Sequence, residues 1–95
     1  MTNSNMKKVI KKHLEIGEEG HLSDLEKSQS GIVLALHNNE PSLRRRLLDM
    51  GITKGVTITI DGFAPLGDPV NVRLRGYNLA IRLFDMSQID IKRIG

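Results

Sequence analysis

Cysteine and tryptophan are absent from this 95-residue chain, and the other aromatics come to one tyrosine and two phenylalanines. Without cysteine there are no disulfides, no thiolate metal ligands and no cysteine nucleophile. So few aromatics leave little for nucleic-acid bases to stack on, and too little to line a groove for proline-rich peptides. No apolar run approaches the roughly 20 residues that cross a bilayer, and residues 1–8 lack the apolar core of a signal peptide. The expectation is a soluble, cytoplasmic protein. A glycine-rich phosphate loop and a persuasive Ser-His-Asp order are also missing.

What is present is ordinary for a small globular domain. The chain is 39% hydrophobic and 26% charged, with 14 basic against 11 acidic residues and a formal charge of +3. That is close to average usage and long enough for one core. The mild positive excess suits nucleic acid, an anionic membrane or an acidic protein face.

Met6, Val9, Ile10 and Leu14 fall three and four residues apart, with lysines on the other side, so residues 6–16 read as a short amphipathic helix stopped by Gly17. Such a segment either packs on the domain or serves as an arm for a partner or membrane surface. Glu18-Glu19-Gly20 reads as a linker. The chain therefore divides into an N-terminal extension, 1–20, and a compact domain, 21–95. Ser23 and Glu26 have capping-box spacing around a single turn that tucks in Leu22 and Leu25.

Residues 31–37 form a strand apolar on both faces, as expected of a central strand. Pro41 to Met50 is a helix with Leu43, Leu47 and Met50 on one face and Leu48 beside them, Arg44 and Arg45 outward and Arg46 at the flank. Gly51 is placed to end it with a left-handed cap. Gly55 turns the chain into Val56–Ile60, whose alternation is repeated in residues 70–75 and again in 77–83, with Gly76 between. Pro65, Gly67, Asp68 and Pro69 make the first hairpin a rigid turn. After a turn at 84–88, residues 89–91 close the domain. Five short strands with one helix inserted after the first give a mainly β fold, a small, strongly bent barrel.

Three segments in order, Leu43–Ile52 (LRRRLLDMGI), Ala64–Pro69 (APLGDP) and Arg75–Arg82 (RGYNLAIR), closely resemble the FeoA family, and the similarity runs from about Leu22 to Ile94. The resemblance implies an SH3-like barrel. It further implies an accessory role in bacterial ferrous iron uptake beside FeoB, a membrane transporter with a cytosolic G domain. Related domains also end some metal-dependent repressors. Residues 1–20 lie outside the similarity.

Read without that resemblance, His13, His21 and His37 are widely spaced and show no helical ligand pairing, so no metal, cofactor or catalytic residue is expected. Arg44, Arg45, Arg46, Arg73, Arg75 and Arg82 are either a solvated face or a docking face for an acidic partner, if the helix and two strands lie side by side. Two functional classes follow. One is a protein-binding regulator of the transporter, monomeric or weakly self-associating; the other is a small nucleic-acid-binding barrel, with a metal-sensing module as a further option. The absence of any assembled catalytic set makes a direct prediction: the purified protein hydrolyses no GTP, and detectable release of phosphate contradicts it.

Overall fold

In a computed structural model of the chain, which describes residues 9–37 and 40–95, a single antiparallel sheet wraps around one core. Its strands are β1 (Glu19–His21), β2 (Ser30–Leu36), β3 (Thr57–Phe63), β4 (Val70–Leu74), β5 (Tyr77–Ile81) and β6 (Ile89–Arg93). Helix α1 (Pro41–Asp49) links β2 to β3, and a one-turn helix α2 (Leu83–Met86) links β5 to β6. The spatial order is β1-β6-β2-β3-β4-β5, so the last strand in sequence lies between the first two.

The alternation in the sequence becomes the inside and outside of this sheet. Val56, Ile58, Ile60, Val70, Val72, Leu74 and Ile81 are buried, and the residues between them face out or are half-buried. Strand β2 is central, as expected, paired with β6 on one side and β3 on the other. Two bulges bend the sheet. Leu34 is the extra residue of β2 against β6, and Asp61 that of β3 against β4. Helix α1 covers the core with Leu43 and Leu47, and Ile52, just past its end, is fully buried.

The structure differs from the sequence reading at the N-terminal side. The expected helix over 6–16 begins outside the described residues, and from Val9 to Glu15 the chain forms no helix. A helix would put Ile10 and Leu14 on one face, yet Ile10 is 79% exposed and Leu14 only 1%. Tertiary bonds outweigh a helix too short to be stable alone: the Lys12 N–H donates to the buried Asp24 carboxylate (2.8 Å), and the Gly17 N–H donates to the Arg93 carbonyl (2.7 Å).

The expected linker is also structured. Glu19 and Gly20 belong to β1, a sixth strand paired with β6. The capping contact shifts by two residues, because Ser23 is buried and the Asp24 carboxylate accepts the His21 N–H (2.8 Å) instead. Leu83, read as the end of a strand, starts α2, where its N–H donates to Asp68 of the β3–β4 turn (3.0 Å).

Gly51, Gly55, Gly67 and Gly76 all have positive φ. At Gly51 (φ +87°) the requirement is twofold. The backbone is left-handed, and an added Cβ would sit 2.5 Å from the Tyr77 hydroxyl. That hydroxyl donates to the Met50 carbonyl (2.6 Å), binding the end of α1 to the β4–β5 hairpin. Gly51→Val should therefore destabilise the fold by about 2 kcal/mol or more, while Arg44→Ala stays within about 0.5 kcal/mol. Urea unfolding of the two variants checks this; equal midpoints would remove the argument.

Candidate functional site

The six arginines singled out in the sequence do not form one uniform face. Arg46 pairs with Asp85 of α2 (3.3 Å) and Arg73 with Asp61 of β3 (2.8 Å), so both charges are locally compensated. Arg44 donates to the Leu36 carbonyl (3.2 Å) and Arg75 to the Thr53 hydroxyl (3.1 Å), neutral acceptors that leave the charge in place. Arg45 and Arg82 make no ion pair with any described residue.

Position separates them further. Arg75 occupies the tip of the β4–β5 hairpin, in the left-handed region with Gly76 after it, and lies beside Gly51 at the end of α1. Arg82 lies at the opposite end of β5, next to α2. Leu74 pairs with Tyr77 and Val70 with Ile81, so the two arginines are separated by the length of the hairpin, roughly 15–20 Å.

Other exposed basic and apolar side chains lie on α1 and near the first of these ends. Arg44, Arg45 and Leu48 lie three and four residues apart on α1 and share an exposed stripe. Leu48 is 43% exposed and Tyr77 41%. Lys54, in the turn whose Thr53 receives Arg75, lines a shallow depression together with Gly55, Val56, Thr57 and Arg75. Asp49, also exposed on α1, is an opposing charge. The apolar members Leu48 and Tyr77 were missed in the sequence. Leu48 read as a neighbour of the core face and Tyr77 as a strand residue, and only the hydroxyl contact to Met50 brings Tyr77 to the helix.

The histidines are distributed differently from their sequence spacing. His13 stays outside, paired with Glu15 (2.9 Å). His21 and His37 come together across β6. His21 is the register partner of Asp90, and the backbone N–H of His37, just past the end of β2, donates to the Gln88 carbonyl (2.6 Å), so both histidines lie near Asp90. The His21 Nε2 lies 3.5 Å from one Asp90 oxygen and the His37 Nδ1 lies 3.8 Å from the other. The ring centroids are 6.5 Å apart. On its other side the His21 Nδ1 faces the Asp24 carboxylate at 3.8 Å. Among the described residues, no three His, Asp or Glu side chains already stand at metal-coordinating separations.

Asp24 ties this region together. It is 3% exposed and accepts the backbone N–H groups of Lys12 and His21, each at 2.8 Å. A Cβ at Gly20 would meet both its carboxylate and the Leu14 side chain at 2.8 Å, so a larger residue here would displace one of them.

The model of the FeoA domain matches residues 20–93. A Fe(2+) transport protein A/Fe(2+) transporter FeoB fusion protein of Porphyromonas gingivalis is 34% identical over 73 residues, which cover 77% of this chain and 8% of that much longer protein. The solution structure of an FeoA-like protein from Clostridium acetobutylicum is 35% identical and superposes with a TM-score of 0.73, covering 81% of this chain and 88% of that one. FeoA of Stenotrophomonas maltophilia, crystallised with zinc and described as a prokaryotic SH3 domain protein, shares the fold at 23% identity and a TM-score of 0.67, over 76% of this chain and 88% of that one.

Removing the Asp24 carboxylate leaves two inward backbone donors without acceptors. Asp24→Ala should cost about 2–3 kcal/mol and speed hydrogen exchange first at the Lys12 and His21 amides. Unchanged exchange there would show that the carboxylate does not hold the N-terminal segment.

Proposed function

The chain belongs to the FeoA family, and from that premise we propose that it is an accessory protein of ferrous iron uptake, docking on the cytosolic region of an FeoB-type transporter and modulating its assembly or its GTP cycle. The observation that carries this reading is the Porphyromonas relative, in which one polypeptide is both Fe(2+) transport protein A and the FeoB transporter. Fusion raises the local concentration of one module at the other to a level that separate chains must recover through an interface.

The surface at the end of α1 is suited to that task. Arg44, Arg45, Lys54 and Arg75 supply positive charge, offset in part by Asp49, near the half-exposed Leu48 and Tyr77. Arginine offers planar, multi-donor pairing to carboxylates, and tyrosine and arginine are the residues that most often dominate binding energy at interfaces. The expected partner surface is acidic with an apolar centre. Docking becomes regulation when one state of the transporter binds this face more tightly than another, because a ligand shifts an equilibrium only by its differential affinity. The barrel then works by binding and performs no chemistry of its own.

A titration of the labelled protein with the cytosolic domain of the cognate transporter, followed by NMR, tests the reading. Shifts should cluster on α1, the 53–55 turn and the β4–β5 tip. The double variant Arg44→Glu, Arg45→Glu should weaken binding at least about tenfold, about 1.4 kcal/mol, with an unchanged fold. Undiminished affinity would remove this face. Shifts with an RNA oligonucleotide at matched salt, and none with the transporter domain, would favour the nucleic-acid barrel instead.

A further inference from the structure

We propose that the outer edge of β5 is a docking strand, which takes up an extended segment of a protein partner, acidic at both ends, as a further strand of the sheet. The inference deepens the docking reading and rests on it for the partner, but it assigns the contact to a different element and to backbone bonds.

Among the described residues, β5 ends the sheet and pairs with β4 alone. The turn before it decides which of its backbone groups are free. Arg75 and Gly76 both have positive φ (+49° and +83°) and form a two-residue turn of type I′ between Leu74 and Tyr77. Such a turn makes its flanking residues a hydrogen-bonded pair, and bonded pairs alternate with unbonded ones along an antiparallel ladder. Tyr77, Leu79 and Ile81 therefore bond to β4, whereas the N–H and C=O groups of Asn78 and Ala80 point away from it. Both residues are exposed, and among the described residues no backbone bond reaches those four groups from any other element.

An open edge commonly carries a lysine, a proline or a bulge that turns stray strands away. β5 has no such residue among its five, and its register with β4 is unbroken. The opposite edge of the sheet, β1, spans three residues and offers a shorter ladder.

Charge stands at the two ends of β5 instead. Arg75 precedes it and Arg82 follows it; both are exposed, and neither forms an ion pair with a described residue. Asp68, which accepts the Leu83 N–H (3.0 Å), offsets part of the Arg82 charge. This placement discriminates between occupants. If a second copy added its own β5 antiparallel, with Asn78 opposite Ala80, Arg82 of each copy would fall opposite Gly76 and beside Arg75 of the other. Like charges facing each other across a ladder are destabilising. A segment with Asp or Glu at each end turns the same two arginines into attractions, because a guanidinium pairs a carboxylate through two parallel donors.

An added strand continues both faces of the sheet, its main chain giving affinity and its alternate side chains specificity. Residues arriving beside the half-buried Leu79 should be apolar, and those beside Asn78 and Ala80 small or polar. The length of β5 sets a core of about five residues, at about 3.3 Å each.

The test is amide hydrogen exchange, followed by NMR, of the labelled full chain alone and with the cytosolic domain of the cognate transporter. The Asn78 and Ala80 amides should exchange freely in the free protein and at least about tenfold more slowly in the complex, while Leu79 and Ile81 stay protected in both. Ala80→Pro removes an outward donor and leaves the β4 ladder whole, a position where an edge strand accepts proline; it should weaken binding at least about tenfold. Arg82→Glu, remote from the α1 surface, should weaken it at least about threefold, more so at low salt, and serves if the proline variant does not fold. Undiminished binding by folded Ala80→Pro protein, or unchanged exchange at Asn78 and Ala80 in a complex that forms, overturns this proposal and leaves the docking reading standing. Absence of any complex overturns both. Protection of the two amides in the free protein, rising with its concentration, would assign the edge to a second copy and overturn the acidic partner.

Discussion

The architecture depends on the insertion of β6 between β1 and β2. Until the C-terminal strand arrives, neither the N-terminal strand nor the free edge of β2 has a partner on that side. The fit is tight. A Cβ at Gly31 in β2 would come within 2.9 Å of the Ile91 side chain and 3.1 Å of the Leu25 side chain. Arg93 then extends the closure, its guanidinium donating to the Leu14 carbonyl (2.8 Å) and its backbone exchanging bonds with Gly17 and Glu18. One strand placement thus buries Leu14, orders the segment before the domain and gathers two distant histidines around Asp90.

A second clasp, at the far edge of the sheet, shapes the surface proposed for docking. Tyr77 reaches from β5 to the last turn of α1, and Arg75 reaches from the hairpin tip to Thr53. The helix is held by its buried Leu43 and Leu47, by Arg44 and Arg46, and at its end by the Tyr77 contact to Met50. Internal pairing decides which charges remain for a partner. Asp85 and Asp61 compensate Arg46 and Arg73, whereas Arg44, Arg45 and Arg75 keep their charge toward solvent. A basic patch counted from sequence therefore overstates the usable field, since local ion pairs leave little charge for long-range attraction.

The legible parts of the fold were those governed by short-range chemistry. Strands β3 and β4 could be traced by alternation because one face is solvated, and a period of two survives only when the two faces differ. Gly51 could be assigned because a helix end needing a left-handed residue selects glycine. The segment before β1 was not legible. Met6, Val9, Ile10 and Leu14 have helical spacing, but the bonds that determine residues 12–17 come from Asp24 and Arg93, the latter about eighty positions away in the chain. Strand β1 escaped for the same reason, being three residues long with a glycine at its centre and a partner at the other end of the sequence.

The sequence by itself determined the family, the β-rich class, the helix with its glycine stop and the Pro65–Pro69 turn. Each of these is written in neighbouring residues, through steric preference or hydrophobic period. The tertiary structure decided which arginines are compensated, that Leu48 and Tyr77 accompany the remaining ones, and that His21 and His37 share Asp90. Those relations are set by strand register and chain closure, and distance along a chain carries no information about distance across a sheet until the last strand has chosen its neighbours.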